Sequence, residues 1–192
     1  LLLNAKQLEF DLGIGSSYDL TSTRYFVGLS SDGEAKLTGS DLRYLYSNSQ
    51  NLSYGLRLAS HSGNDKKDLS SGYAYKISIS ETSPFVKYSI PVNEEGGNTV
   101  IEGYFVGGLN FVTMKARHTI TTEVSASKIG LMLEGGIYMG IKKNDTIFGG
   151  GISLPIETYE ESFQWGVDGL PLNYNASIKK NLSVFLIFKT II

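Results

Sequence analysis

The segment Lys6-Gln7-Leu8-Glu9-Phe10-Asp11-Leu12-Gly13-Ile14-Gly15-Ser16-Ser17-Tyr18-Asp19-Leu20 decides the fold class. Its even positions Leu8, Phe10, Leu12, Ile14, Tyr18 and Leu20 are apolar, whereas Glu9, Asp11, Gly13, Gly15, Ser17 and Asp19 are acidic or small. Successive side chains of a strand leave on opposite faces, so this stretch reads as a strand with one greasy and one polar face. A helix would spread the acids around its whole circumference. The segment is a strand.

The same period recurs along the chain. Leu42, Tyr44 and Tyr46 alternate with Asp41, Arg43 and Ser47, and Leu52, Tyr54, Leu56 and Leu58 follow a turn-like Asn48-Ser49-Gln50-Asn51. Tyr73, Tyr75, Ile77 and Ile79 form another set, and Val86, Tyr88 and Ile90 come after the breaker Ser83-Pro84. Ile101, Phe105, Leu109 and Phe111 share a face with Gly103 and Gly107, opposite Glu102 and Asn110. Ile129, Leu131, Leu133, Ile137, Met139 and Ile141 lead to a turn at Lys143-Asn144-Asp145, then Phe148, Ile152, Leu154 and Ile156. A last hairpin reads Leu172, Tyr174, Ala176, Ile178, a turn at Lys179-Lys180-Asn181, then Leu182, Val184, Leu186 and Phe188. The count is about ten strands, an even number as closure of an antiparallel bacterial barrel requires. Strict up-and-down parity would put some short turns beside long loops, so eight strands is the alternative. Longer polar stretches fall at 21–39, 62–71, 113–127 and 157–169, of which the first and third contain enough apolar residues to extend their strands.

Composition narrows the class. The chain has 192 residues, one domain's worth, with 17 basic and 19 acidic side chains and a net charge of −2. Phosphate-backbone binding needs a basic face, so nucleic acid is excluded as a partner. With no cysteine there is no disulfide and no thiolate metal site. The 22 Gly, 12 Tyr and 9 Phe suit curved, half-buried sheets. No continuous apolar run approaches the roughly 20 residues of a membrane helix. Residues 1–5, Leu1-Leu2-Leu3-Asn4-Ala5, read either as the tail of a secretory signal or as a frayed strand end, and residues 6–192 as a single barrel domain.

An amphipathic barrel can turn its greasy face inward, around a hydrophobic ligand, or outward, to lipid. Three features favour lipid. The polar face mixes Gly and Ser with charges of both signs, Glu9, Asp11, Arg57, Lys76, Glu102 and Glu134, which suits a narrow polar interior. The apolar faces persist for about nine to eleven residues, the length of a tilted membrane strand. Aromatics stand at their ends, at Phe10, Tyr18, Tyr44, Tyr46, Tyr54, Tyr73, Tyr75, Tyr88 and Phe188, as in the girdles at membrane interfaces.

From Lys6 onward the pattern resembles that of small bacterial outer-membrane β-barrel proteins. The resemblance implies an antiparallel up-and-down transmembrane barrel in the outer membrane, with the lipid bilayer and lipopolysaccharide as surroundings and no cofactor. It implies a non-enzymatic, porin-like part of the cell envelope, either a scaffold for surface loops or a narrow channel. A soluble barrel holding a hydrophobic ligand is the second reading, and a lipid-modifying outer-membrane enzyme the third.

Little in the sequence points to catalysis. His61 and Ser62 are neighbours, but consecutive strand residues face opposite sides, and no acid is spaced to orient the imidazole. His118 sits in the basic stretch Lys115-Ala116-Arg117-His118, which reads as a solvated loop. The loop acids Asp65, Asp68, Glu94, Glu95, Glu157, Glu160 and Glu161 lack an ordered calcium-loop spacing. Gly149-Gly150-Gly151 precedes no helix and is no phosphate cradle. The inward charges are expected to lock together as a plug in preference to lining a pore, because a buried charge must be paired.

Overall fold

Every described element is a strand, and the strands alternate as the period-two pattern requires. The computed structural model describes residues 6–26, 29–47, 49, 51–65, 75–92, 97–118, 123–156, 158–167 and 170–192. The strands are β1 (Gln7–Gly13), β2 (Ser17–Phe26), β3 (Leu29–Ser47), β4 (Leu52–Asp65), β5 (Tyr75–Pro91), β6 (Thr99–His118), β7 (Glu123–Lys143), β8 (Thr146–Pro155), β9 (Thr158–Val167), β10 (Leu170–Lys180) and β11 (Ser183–Ile191). All pairings are antiparallel, in the order β1-β11-β8-β7-β6-β5-β4-β3-β2-β10-β9, and an added β1–β3 ladder closes a ring of eight.

The barrel is therefore eight-stranded, the alternative count, and the extra strands of the sequence reading have physical causes. Ser83-Pro84 is no turn: β5 runs through it, with Pro84 opposite Leu56 on β4, and the missing N–H falls where the β5–β6 ladder is interrupted between Thr82 and Phe85. Lys179-Lys180-Asn181 is no hairpin either, since β10 pairs with β2 and β9 while β11 pairs with β1 and β8. It is a break inside one long strand. β1 and β2 are likewise two halves of one strand, and the two breaks face each other. Ile14 N–H donates to Val184 O (2.8 Å) and Asn181 N–H to Ser17 O (2.9 Å). The turn at residues 144–145 does form, and Asn144 takes the left-handed φ of 54° that a two-residue hairpin loop demands.

The polarity of both faces reverses partway up the wall. On β5 the odd residues point inward throughout, yet they change from Tyr75, Ile77 and Ile79 to Glu81, Ser83, Lys87 and Ser89. The even residues point outward and change in the opposite sense, from Lys76, Ser78 and Ser80 to Val86, Tyr88 and Ile90. One end of the barrel thus has an apolar core and a polar outside, like a soluble protein. The other has charged side chains inside, packed beside an apolar cluster that includes Leu45, Phe85, Met132 and Phe185, and an outward belt that includes Phe10, Leu56, Phe105, Leu131, Met139, Phe148 and Phe188. An apolar surface this continuous is stable only against lipid. The belt places that half in a bilayer, which overturns the reading of the chain as a soluble barrel, although the core above the belt is apolar.

One wall of the upper half is not sealed by a ladder. Among the described residues β9 pairs only with β10, and the upper part of β7 only with β6. Side chains span the seam instead: Lys128 on β7 reaches Glu161 on β9 (3.1 Å), and the Tyr159 ring lies 3.5 Å from where a Cβ on Gly130 would stand.

Candidate functional site

Inside the belt, inward parity delivers charged side chains from almost every strand to the barrel axis. Asp41 and Arg43 come from β3, Arg57 from β4, Glu81 from β5, Glu134 from β7 and Lys180 from the end of β10. Arg57 Nε meets Asp41 Oδ2 (2.9 Å) while its Nη2 reaches Glu81 (2.5 Å) and donates to the Tyr18 hydroxyl (3.1 Å). Arg43 pairs with Glu134 (2.8 Å), and Lys180 bridges Glu134 (3.2 Å) and Asp41 (3.5 Å). Three acids meet three cations, so this layer is neutral. Tyr18 donates to Glu81, and Asn110 joins the layer through Ser83 (2.6 Å) and Tyr159.

A second layer lies nearer the β3–β4 turn. Glu9 pairs with Lys87 and with Lys189 (3.4 Å), and Lys189 also holds Glu102 (3.0 Å). The cations lean on rings as well: Arg43 sits 4.0 Å over Phe185 and Lys87 4.8 Å over Tyr104, contacts worth about 2 kcal/mol when desolvated. Small inward residues make the room, as at Gly55, where a Cβ would come within 2.5 Å of the Phe85 ring. Arg57 and Lys180 have no more than 2% of their surface exposed, so they touch protein on all sides.

The positions expected to face inward separate. Glu9, Asp11, Arg57 and Glu134 are buried in the lumen and Glu102 is half-buried there. Lys76 corrects the expectation: it is exposed on the outer face, because its partners in alternation, Tyr75 and Ile77, occupy the inward positions. Among the expected interfacial aromatics, Tyr44, Tyr54, Tyr88 and Phe188 stand outward and exposed and Tyr46 is half-buried. Tyr18 and Tyr75 are corrections. Tyr18 lies inward because the break at residues 14–16 exchanges the faces between β1 and β2. Tyr75 lies in the apolar upper core, stacked on Tyr174 at 4.6 Å. Tyr73 lies outside the described residues.

Sequence reasoning missed Asp41, Arg43, Glu81, Lys87, Lys180 and Lys189 as interior charges, although Asp41 and Arg43 were already legible on the polar side of an alternating run. For Lys87 the signal was present, since Val86 and Tyr88 flank it as an alternating pair. Glu81 and Lys180 were hidden by the false turns. His61 and Ser62 do face opposite sides, and His61 meets Ser16 instead, Nε2 to Oγ at 2.9 Å. Its Nδ1 has no hydrogen-bond partner among the described residues, so no acid completes a triad. His118 is not in a solvated loop but buried at the top of β6 against Tyr75 (4.9 Å).

Burial holds both imidazoles, which lie above the belt, below the ordinary value of 6.5. The unfolded chain therefore takes up protons on them that the folded chain does not. Their contribution to stability is intact above about pH 6.5 and is lost as the pH falls below it. The urea midpoint of the refolded protein is expected to drop between pH 7.5 and pH 5.5, and to drop less in His61→Gln. An equal drop in that variant would remove His61 as a cause.

Sequence comparison with protein-family models and with curated proteins finds no match. Solved structures do resemble the chain. The outer membrane protein OprG from Pseudomonas aeruginosa superposes with a TM-score of 0.60 at 15% identity, covering 98% of this chain and 96% of its own. The outer membrane protease OmpT from Escherichia coli gives 0.49 at 8% identity over 100% and 98%, and Ail of Yersinia pestis 0.43 at 10% over 95% and 99%. At the identity to OprG the likeness is one of fold. The chain has the fold of a small bacterial outer-membrane β-barrel.

Proposed function

We propose that the chain works in the bacterial outer membrane as a closed, non-enzymatic barrel, a scaffold that carries the sheet above the bilayer, and is not a channel. The observation that carries this reading is the neutral layer of Asp41, Arg43, Arg57, Glu81, Glu134 and Lys180, whose members pair across the lumen without exposed surface. An ion path through it would need bare buried charges, each costing several kcal/mol. The non-enzymatic part rests on the one His–Ser contact of the lumen: among the described residues His61 Nδ1 has no hydrogen-bond partner, and Ser16 is buried at 4% exposure.

Reconstituted in a planar bilayer, the protein is expected to give no discrete conductance steps. Arg57→Ala/Glu134→Ala, which empties the middle of the layer while removing one charge of each sign, is expected to give them. Steady conductance from the unsubstituted protein would refute the closed reading and leave the narrow channel.

A second reading is favoured by the seam between β7 and β9. The upper core it borders is apolar, with Ile77, Ile79, Met114, Tyr159, Phe163 and Tyr174, so a hydrophobic compound could reach that core sideways. Locking the seam as Lys128→Cys/Glu161→Cys under oxidation is the discriminating variant. Uptake of an apolar dye by the open form and not by the locked form would favour this reading over the scaffold.

A further inference from the structure

The upper charge layer of the lumen balances and the lower one does not. Asp41, Glu81 and Glu134 meet Arg43, Arg57 and Lys180, three charges of each sign. Nearer the β3–β4 turn, Glu9, Asp11 and Glu102 have only Lys87 and Lys189 among them. The carboxylate left over is Asp11. Arg43 is its register partner on β3, but that guanidinium is drawn to Glu134 at 2.8 Å. Lys87 is taken by Glu9, and Lys189 by Glu9 and Glu102. Asp11 is 4% exposed and makes no ion pair among the described residues, and its Oδ1 has no hydrogen-bond partner among them. Glu9, two residues away on the same inward face, adds a second negative charge beside it. Lys142, at the rim, is half-exposed and reaches none of the three acids.

We propose that the lower lumen holds one alkali-metal cation, Na+ or K+, at Asp11. A carboxylate kept from water needs a counter-charge, and one surplus negative charge calls for one positive charge. A divalent ion would leave the layer positive, and among the described residues no three acidic or imidazole side chains converge to hold one. Oxygen donors suit a hard cation. Besides Asp11 Oδ1, the layer offers the Tyr138 hydroxyl, which is buried without a hydrogen-bond partner among the described residues. Lys189 lies 5.5 Å over the Tyr138 ring, and Glu9 and Asp11 are among the charges around it. The ion comes from the turn end. There the side chains of Lys189 and Glu102 keep 8% and 13% exposure, whereas those of Asp41, Arg57, Glu81 and Lys180 in the upper layer have none. It enters a dead end and does not cross. The inference rests on the closed-barrel reading, because an open lumen would hydrate Asp11.

The test uses the full chain refolded in zwitterionic detergent, in the chlorides of Na+, K+ or N-methylglucamine. All three are set to one ionic strength of about 0.1 M, so that general screening cancels. The urea midpoint is expected to be higher in Na+ or K+, with the folded-to-unfolded ratio up about tenfold, as for an ion at roughly ten times its Kd. Asp11→Asn is expected to lose that difference. In N-methylglucamine it should be no less stable than the unsubstituted protein, since it sheds an unpaired buried charge. Asp145→Asn, on the exposed turn at the same end, should keep the difference. Equal midpoints of the unsubstituted protein in the three salts would overturn the inference, whether or not Asp11→Asn refolds. So would an undiminished difference in Asp11→Asn, or a carboxylic-acid infrared band that this variant removes, which would put a proton in the cation's place. Bilayer conductance on the same preparation separates the two readings. Steady conductance removes the closed barrel and this site together, and silence with equal midpoints removes the site alone.

Discussion

Arg57→Met is expected to lower folding stability by about 3–5 kcal/mol, the usual result of removing one partner from a buried ionic group. Methionine nearly matches the arginine stem in volume, so the loss is electrostatic and not a cavity. It leaves Asp41 and Glu81, each within 3 Å of the guanidinium, without their main counter-charge and without access to water. Urea titration of the detergent-refolded protein measures the difference. The contrast is Lys76→Met on the exposed face, expected to stay within about 0.5 kcal/mol. Adding Asp41→Asn and Glu81→Gln to Arg57→Met should restore part of the loss, since neutral amides no longer need the cation. A cost below 1 kcal/mol for Arg57→Met would mean that water reaches the layer, and the closed reading would fall with it.

Val86→Arg carries the second large effect. Val86 faces outward in the apolar belt on β5, and an arginine there is expected to cost about 2–4 kcal/mol, as lipid-facing cations near the midplane of a barrel do. Ser78→Arg, eight residues along the same outward face of the same strand, is expected to be nearly neutral because it lies above the belt. Folding into lipid vesicles under urea reads both. Equal costs would erase the boundary between the lipid half and the aqueous half. A strand that changes environment along its length is what this comparison detects, and no single substitution could.

The boundary also explains which parts of the site were legible in the sequence. Glu9 and Asp11 could be read because Leu8, Phe10 and Leu12 flank them without interruption and no break intervenes. Tyr75 could not. It shares its parity and its apolar company with Ile77 and Ile79, and nothing local distinguishes an apolar face turned to lipid from one turned to a core. Tyr18 was misplaced for a different reason. A break between β1 and β2 adds residues that belong to neither strand, and every side chain beyond it changes face. The ion pairs join residues far apart in the chain, such as Arg43 with Glu134 and Glu9 with Lys87, and no spacing encodes them.

By itself the sequence determined that the chain is all-β, that each strand has two unlike faces, and that one of those faces is long enough to meet a bilayer. These are local properties, set by a side-chain period of two and by the length of each run. The tertiary structure decided the number of strands, which face is inward at each height, and which charges meet. Ring closure decides these, because inside and outside exist only once β1 has paired with both β11 and β3.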